Sequence, residues 1–212
     1  MSESAQCFDV LETKPGARTL DATAGNRKFW RIDDNPNIIY IDVDDELEIT
    51  PDLVIDCTNT GFPNKYFFTI IYDPPHSWGG KTGNEFYTCR NQHEWDALIE
   101  RYGFKRKSLP TYYGTDKFRS KTELLSFIYE SQIEFNRILA PNGILWLNWS
   151  ELKMPLTDVL PLFRDWDELI RLEIGSRRQT LSDHQNYWIM FMKKSRPDPQ
   201  TALNQFTVVR HR

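Results

Sequence analysis

Phe67-Phe68-Thr69-Ile70-Ile71-Tyr72-Asp73-Pro74-Pro75-His76 decides the fold of this chain. A nearly unbroken apolar run of this length, closed by prolines, reads as a buried central strand. Two successive prolines have no N–H to donate and a fixed φ, so the strand must stop there. The carbonyls of Asp73 and Pro74 are left as acceptors, and the strand opens onto a stiff, acceptor-rich pocket suited to an amine. A carboxylate at the mouth of a parallel sheet also marks the edge where α/β proteins bind their ligands.

Working outward, Thr19-Leu20-Asp21-Ala22-Thr23-Ala24-Gly25-Asn26-Arg27-Lys28-Phe29-Trp30 reads as a short strand, a tight turn at Gly25 and a helix start. Ile38-Ile39-Tyr40-Ile41-Asp42 is a second strand ending in an acid, and Leu53-Val54-Ile55-Asp56 a third, followed by Cys57-Thr58-Asn59. Downstream, over Lys121 to Leu139, Leu124, Leu125, Phe127, Ile128, Ile133, Phe135, Ile138 and Leu139 recur at broadly helical spacing, and Pro141-Asn142-Gly143 stops that helix. Gly143 to Trp149 is a fifth strand, and Pro155 to Phe163 a short helix with proline near its start. Asp165-Trp166-Asp167-Glu168 reads as an acid-rich helical tract. Leu169 to Ile174 and Tyr187 to Lys193 form a late antiparallel pair at the sheet edge, which argues against an all-parallel nicotinamide-binding domain.

The chain has 212 residues, 40% of them apolar and 26% charged, which suits one domain with a sizeable core over residues 1–194 and a C-terminal tail over 195–212. A net charge of −4 makes the surface as a whole no magnet for nucleic acid, so a basic binding face must be local. No run is long and apolar enough to span a bilayer, and Met1-Ser2-Glu3-Ser4 lacks the layout of a signal peptide; a soluble, cytoplasmic protein is expected. Cys7, Cys57 and Cys89 have neither disulfide-framework nor metal-ligand spacing, so reduced thiols and no metal are expected. Asn148-Trp149-Ser150 matches a glycosylation sequon but reads as a strand end.

Strand, glycine turn, acid-ended strand and DPP strand, followed by Leu139-Ala140-Pro141-Asn142-Gly143-Ile144-Leu145-Trp146-Leu147-Asn148-Trp149-Ser150-Glu151, resemble the class I S-adenosylmethionine-dependent methyltransferases. The resemblance covers roughly residues 19–194 and is nearest to the DPPY-type branch that methylates exocyclic amines of nucleobases, here with DPPH. It implies a Rossmann-like α/β fold: a seven-stranded, mostly parallel sheet with an antiparallel edge hairpin and helices on both faces. The usual glycine-rich triplet of the first motif is reduced here to Gly25 alone.

The resemblance also implies roles. Asp21, Ala22, Gly25 and Asn26 would surround the methionine portion of S-adenosyl-L-methionine, with Asp21 toward its ammonium and Phe29-Trp30 flanking it. Asp42 would accept the ribose hydroxyls, and Asp56 and Cys57 would lie by the adenine. Asp73, Pro74, Pro75 and His76 would form the catalytic segment, His76 standing where the family carries a stacking ring and Trp78 able to supply a missing plane. Residues 77–120 form an insertion, glycine-rich at first, helical over Glu94 to Tyr102, then basic and aromatic; Lys105, Arg106 and Lys107 would meet phosphates. Arg177 and Arg178 would extend a basic rim. The expected substrate is an amino nitrogen of a nucleobase, DNA slightly ahead of RNA. A small-molecule amine methyltransferase and a non-catalytic module of the same fold are the alternatives.

Overall fold

The computed structural model describes residues 3–27, 30–78, 117–174 and 185–194. Phe29, Lys105, Arg106, Lys107, Arg177 and Arg178, the helix expected over 94–102 and the tail lie outside the described residues.

Seven strands form one sheet: β1 (Thr19–Asp21), β2 (Ile38–Asp42), β3 (Leu53–Val54), β4 (Phe67–Tyr72), β5 (Leu139–Ser150), β6 (Trp166–Ile174) and β7 (Asn186–Lys193). Their order is β3-β2-β1-β4-β5-β7-β6, with β3 through β5 parallel and β7 running antiparallel to both β5 and β6. This is a Rossmann-like, mostly parallel sheet with an antiparallel edge pair, and the DPP strand lies at its centre, as its apolar run requires.

Alternation sets the two faces. Leu20, Ile39, Ile41, Ile70, Tyr72, Leu145, Leu147, Ile189 and Phe191 belong to one large core cluster. Three helical segments pack into that cluster: α1 (Glu3–Thr13) through Cys7, α2 (Lys121–Ile138) through Leu124, Ile128, Phe135 and Ile138, and the turn comprising α3 (Leu156–Val159) and a 3₁₀ continuation through Val159 and Phe163. On the opposite face Ile38 and Tyr40 form a small cluster with Ala24, against which Trp30 packs. None of the described helices is long and apolar enough to cross a membrane.

Local chemistry explains the boundaries. The Ser120 hydroxyl accepts from the Glu123 amide at 3.2 Å while the Glu123 carboxylate accepts from the Arg119 amide at 2.7 Å, a reciprocal cap that starts α2. Within β5, where the register against β4 shifts between the Phe67–Leu139 and Thr69–Ile144 pairs, a Cβ on Gly143 would fall 2.5 Å from Cγ of Leu139 and 2.9 Å from the Ala140 carbonyl, so this irregularity is packed too tightly for a side chain.

Three sequence expectations need correction. No helix starts at Gly25 among the described residues: the Arg27 amide donates to the Ala24 carbonyl in a tight turn, the Trp30 amide donates to the Arg27 carbonyl, and Arg27 sits at φ +53°. A left-handed residue cannot continue an α-helix. Arg27 is held there because its guanidinium lies 3.8 Å from the centroid of the Tyr40 ring and donates to the Asp33 and Thr50 carbonyls. Trp166-Asp167-Glu168 opens β6 instead of forming helix, since pairing with β7 outweighs the acidic residues' weak local preference. Finally, α1 has no counterpart in the sequence reading; its anchor is Cys7, fully buried, whose thiol donates to the Thr60 carbonyl at 2.8 Å.

Candidate active site

The order β2-β1-β4 brings three acids to one edge. Asp21 ends β1 in register with Tyr40 and Ile71, so Asp42 and Asp73 each lie two residues beyond that row, on either side of it. All are at the C-terminal ends of parallel strands, where α/β folds bind ligands.

Asp42 joins the glycine turn to β2. Its Oδ2 accepts from the Gly25 amide at 2.9 Å and its Oδ1 from the Asp44 amide at 3.0 Å. A carboxylate has further lone pairs, so Asp42 can still accept hydroxyls. Gly25 sits at φ +49°, and a Cβ built there would meet no atom within 4 Å, which leaves the backbone open to close approach by a ligand.

Asp21 is fully buried. The Trp30 indole donates to its Oδ2 at 2.7 Å, and the Thr23 amide lies 3.4 Å from Oδ1. Burial pushes its carboxyl up to about 7, with the charges of Asp73 and Asp42 acting in the same direction and the two hydrogen bonds opposing it. Trp30 therefore stands over the carboxylate that the sequence reading assigned to an ammonium.

Around Asp73 the site is tightly built. The Asp73 amide donates to the Thr23 hydroxyl at 2.7 Å, tying the DPP segment to the glycine turn. The Asn148 side-chain amide donates to Asp73 Oδ1 at 3.0 Å, and His76 Nε2 lies 3.2 Å from the same oxygen. Among the described residues no donor reaches Asp73 Oδ2 or the Pro74 carbonyl. The His76 ring meets Trp149 edge-on, centroids 5.1 Å apart, with its Nε2 toward Asp73. Nδ1 of His76 and Oγ of Ser77 are buried without partners among the described residues.

The other expected residues are spread more widely. Ala22 is buried behind the turn, its amide donating to the Ile71 carbonyl, and the Asn26 side-chain oxygen accepts from the Ile49 amide at 3.2 Å, bracing a neighbouring loop. Asp56 is exposed and caps its own turn through Thr58. The Cys57 thiol points into the core, 3.5 Å from the Ser131 hydroxyl that also accepts from Tyr72, and burial pushes it up to about 12. Its side chain is thus structural. Pro75 is half-buried, and Trp78 packs on the core with the Lys153 ammonium 4.9 Å from its ring centroid. Sequence reasoning missed Thr23 and Asn148. A hydroxyl in a glycine turn was a weak signal for the first; the second depends on strand register and had none.

No protein-family model and no curated protein matches the chain. Some solved structures are similar to it at low identity. It is similar to TrmN from Thermus thermophilus (12% identity, TM-score 0.47, covering 90% of this chain and 49% of that one). It is also similar to the N-methyltransferase NodS from Bradyrhizobium japonicum WM9 in complex with S-adenosyl-l-homocysteine (12%, TM-score 0.45, 91% and 86%). An rRNA methylase from Streptococcus thermophilus is a further such structure (11%, TM-score 0.43, 90% and 95%). The chain spans about half the length of TrmN. The likeness is one of fold.

Proposed function

We infer that this chain is an S-adenosylmethionine-dependent methyltransferase acting on an exocyclic amino nitrogen of a nucleobase, with DNA ahead of RNA. The observation that carries the reading is the state of Asp73: one carboxylate oxygen contacted by Asn148 and His76, the other without a donor among the described residues and beside the Pro74 carbonyl, next to the Asp21–Asp42 pair. The residues fit the cofactor, since Gly25 leaves its backbone approachable and Asp42 retains acceptor capacity beside it. Asp42 would hold the ribose and Asp21 the ammonium, directly or through water, while Asp56 and the Cys57 backbone would lie toward the adenine. When bound, the cofactor supplies an electrophilic methyl group on a sulfonium.

The chain's own residues do the rest. Asp73 Oδ2 and the Pro74 carbonyl accept the two hydrogens of an amine and turn its lone pair toward the methyl group. An arylamine is a weak base, so no strong general base is needed before transfer; the proton leaves afterward to Asp73 or solvent. Buried Trp149 backs His76 and keeps it on Asp73. Lys105, Arg106 and Lys107, with Arg177 and Arg178 on the rim, would supply phosphate contacts and Trp78 an aromatic plane.

The test is incubation with methyl-labelled cofactor and a panel of single- and double-stranded DNA, RNA, nucleotides and small amines. Label on an adenine or cytosine amino group of a polynucleotide is expected, with rates that fall steeply with salt and lose that dependence when Lys105, Arg106 and Lys107 are neutralised. Label confined to small amines, or to none, overturns the nucleobase reading.

A further inference from the structure

We propose that Asn148 is a positioning residue for the reaction, deciding which oxygen of Asp73 faces the incoming amine; this rests on the methyl-transfer reading above. The terminal torsion of an aspartate is broad, so a carboxylate at a strand end can turn either oxygen, or neither, toward a substrate. Here Oδ1 meets two nitrogens at once, Nδ2 of Asn148 at 3.0 Å and Nε2 of His76 at 3.2 Å. Two contacts on one oxygen remove the rotation and leave Oδ2 as the acceptor.

An amide suits this place. Asp21, Asp42 and Asp73 already crowd the edge closely enough to act on one another electrostatically, and Asn148 donates without adding charge. A carboxamide does not titrate, so its donor is present at every pH. Its backbone is firmly held. Asn148 pairs with Trp188 of β7, its neighbour Leu147 pairs with Tyr72 of β4, and both Leu147 and Trp149 are fully buried. A group mounted on a central strand sets distance better than one on a loop.

Asn148→Ala and Asn148→Asp separate positioning from packing. The aspartate keeps the shape of Asn148 but exchanges a donor for a like charge. Both variants are measured in the full chain on the acceptor that the wild-type protein methylates, with kcat and KM resolved. The expected result is a fall in kcat of at least about tenfold for each, larger for Asn148→Asp at neutral pH and partly relieved as pH falls and the new carboxyl gains a proton to donate. S-adenosylmethionine affinity stays at the wild-type value, and both variants remain folded at the assay temperature. An Asn148→Asp protein that matches wild type while Asn148→Ala is impaired overturns the proposal, because shape alone would then matter. If the wild-type protein methylates no acceptor, the methyl-transfer reading fails, and NMR decides the contact separately. One Asn148 side-chain amide proton shifted downfield, and returned to its ordinary position by Asp73→Ala, supports the clamp; ordinary resonances in the wild type overturn it.

Discussion

Trp30 donates its indole N–H to Oδ2 of Asp21 at 2.7 Å, above a carboxyl with no exposed surface. Burial pushes that carboxyl up to about 7 and so favours its proton, while the Trp30 hydrogen bond opposes the shift. Two pH effects follow.

The first is on stability. An unfolded aspartate titrates near 4, so between about pH 4 and about pH 7 the native chain keeps a proton that the unfolded chain has lost. Stability should fall as pH rises through that window and level off above it, by roughly 3–5 kcal/mol. Asp21→Asn removes the charge and keeps an acceptor for Trp30. It should raise the melting temperature by several degrees at pH 8 and change it little at pH 4; an equal shift at both, measured by calorimetry, would assign the titration to another group.

The second is on cofactor binding. An ammonium held near Asp21 draws off its proton, so affinity for S-adenosylmethionine should rise with pH toward about 7 and then plateau. Below that point binding should release a proton, visible as a binding heat that changes with the ionisation enthalpy of the buffer. Heats independent of buffer would separate Asp21 from the ammonium.

Asp42 and Asp73 should divide binding from turnover. Asp42→Ala loses acceptors for the ribose, on the order of 1.5–3 kcal/mol for each charge-assisted hydrogen bond, and affinity for the cofactor should fall at least about tenfold. Asp73→Ala should leave that affinity nearly unchanged and lower turnover by ~10²–10³. The pair is measured by calorimetry and initial rates on one substrate. A fully active Asp73→Ala protein would sink the mechanism.

Gly143 and Gly25 should respond in opposite ways. Gly143→Ala drives a methyl group to 2.5 Å from Leu139 Cγ and should cost about 1–3 kcal/mol of stability without touching the cofactor. Gly25→Ala meets no atom within 4 Å, so in the free protein it should cost only the left-handed strain at φ +49°, about 1–2 kcal/mol. Its larger effect should be weakened cofactor binding. Thermal melts with and without S-adenosylmethionine distinguish the two, and a Gly25→Ala protein with undiminished affinity would remove the turn from the binding surface.

The sequence by itself determined the elements whose signals are local. An apolar run stopped by two prolines can only be a buried strand ending at Asp73, and the apolar period from Leu124 to Ile138 can only be a helix with one buried face. The acids closing β1, β2 and β4 were legible for the same reason, because each ends its own strand. Only the tertiary structure decided what depends on register and burial. Asn148 reaches Asp73 across 75 residues because Tyr72 pairs with Leu147, a contact no local pattern encodes. Arg27 takes a left-handed conformation because the Tyr40 ring and two distant carbonyls hold its guanidinium, and the helix expected after Gly25 is lost to that cluster. Cys57 turns from the site into the core because Ser131, on a helix far along the chain, waits there. Side-chain direction at a strand end is set by what the neighbouring strands and helices bring to it, and that information exists only once the sheet has closed its order.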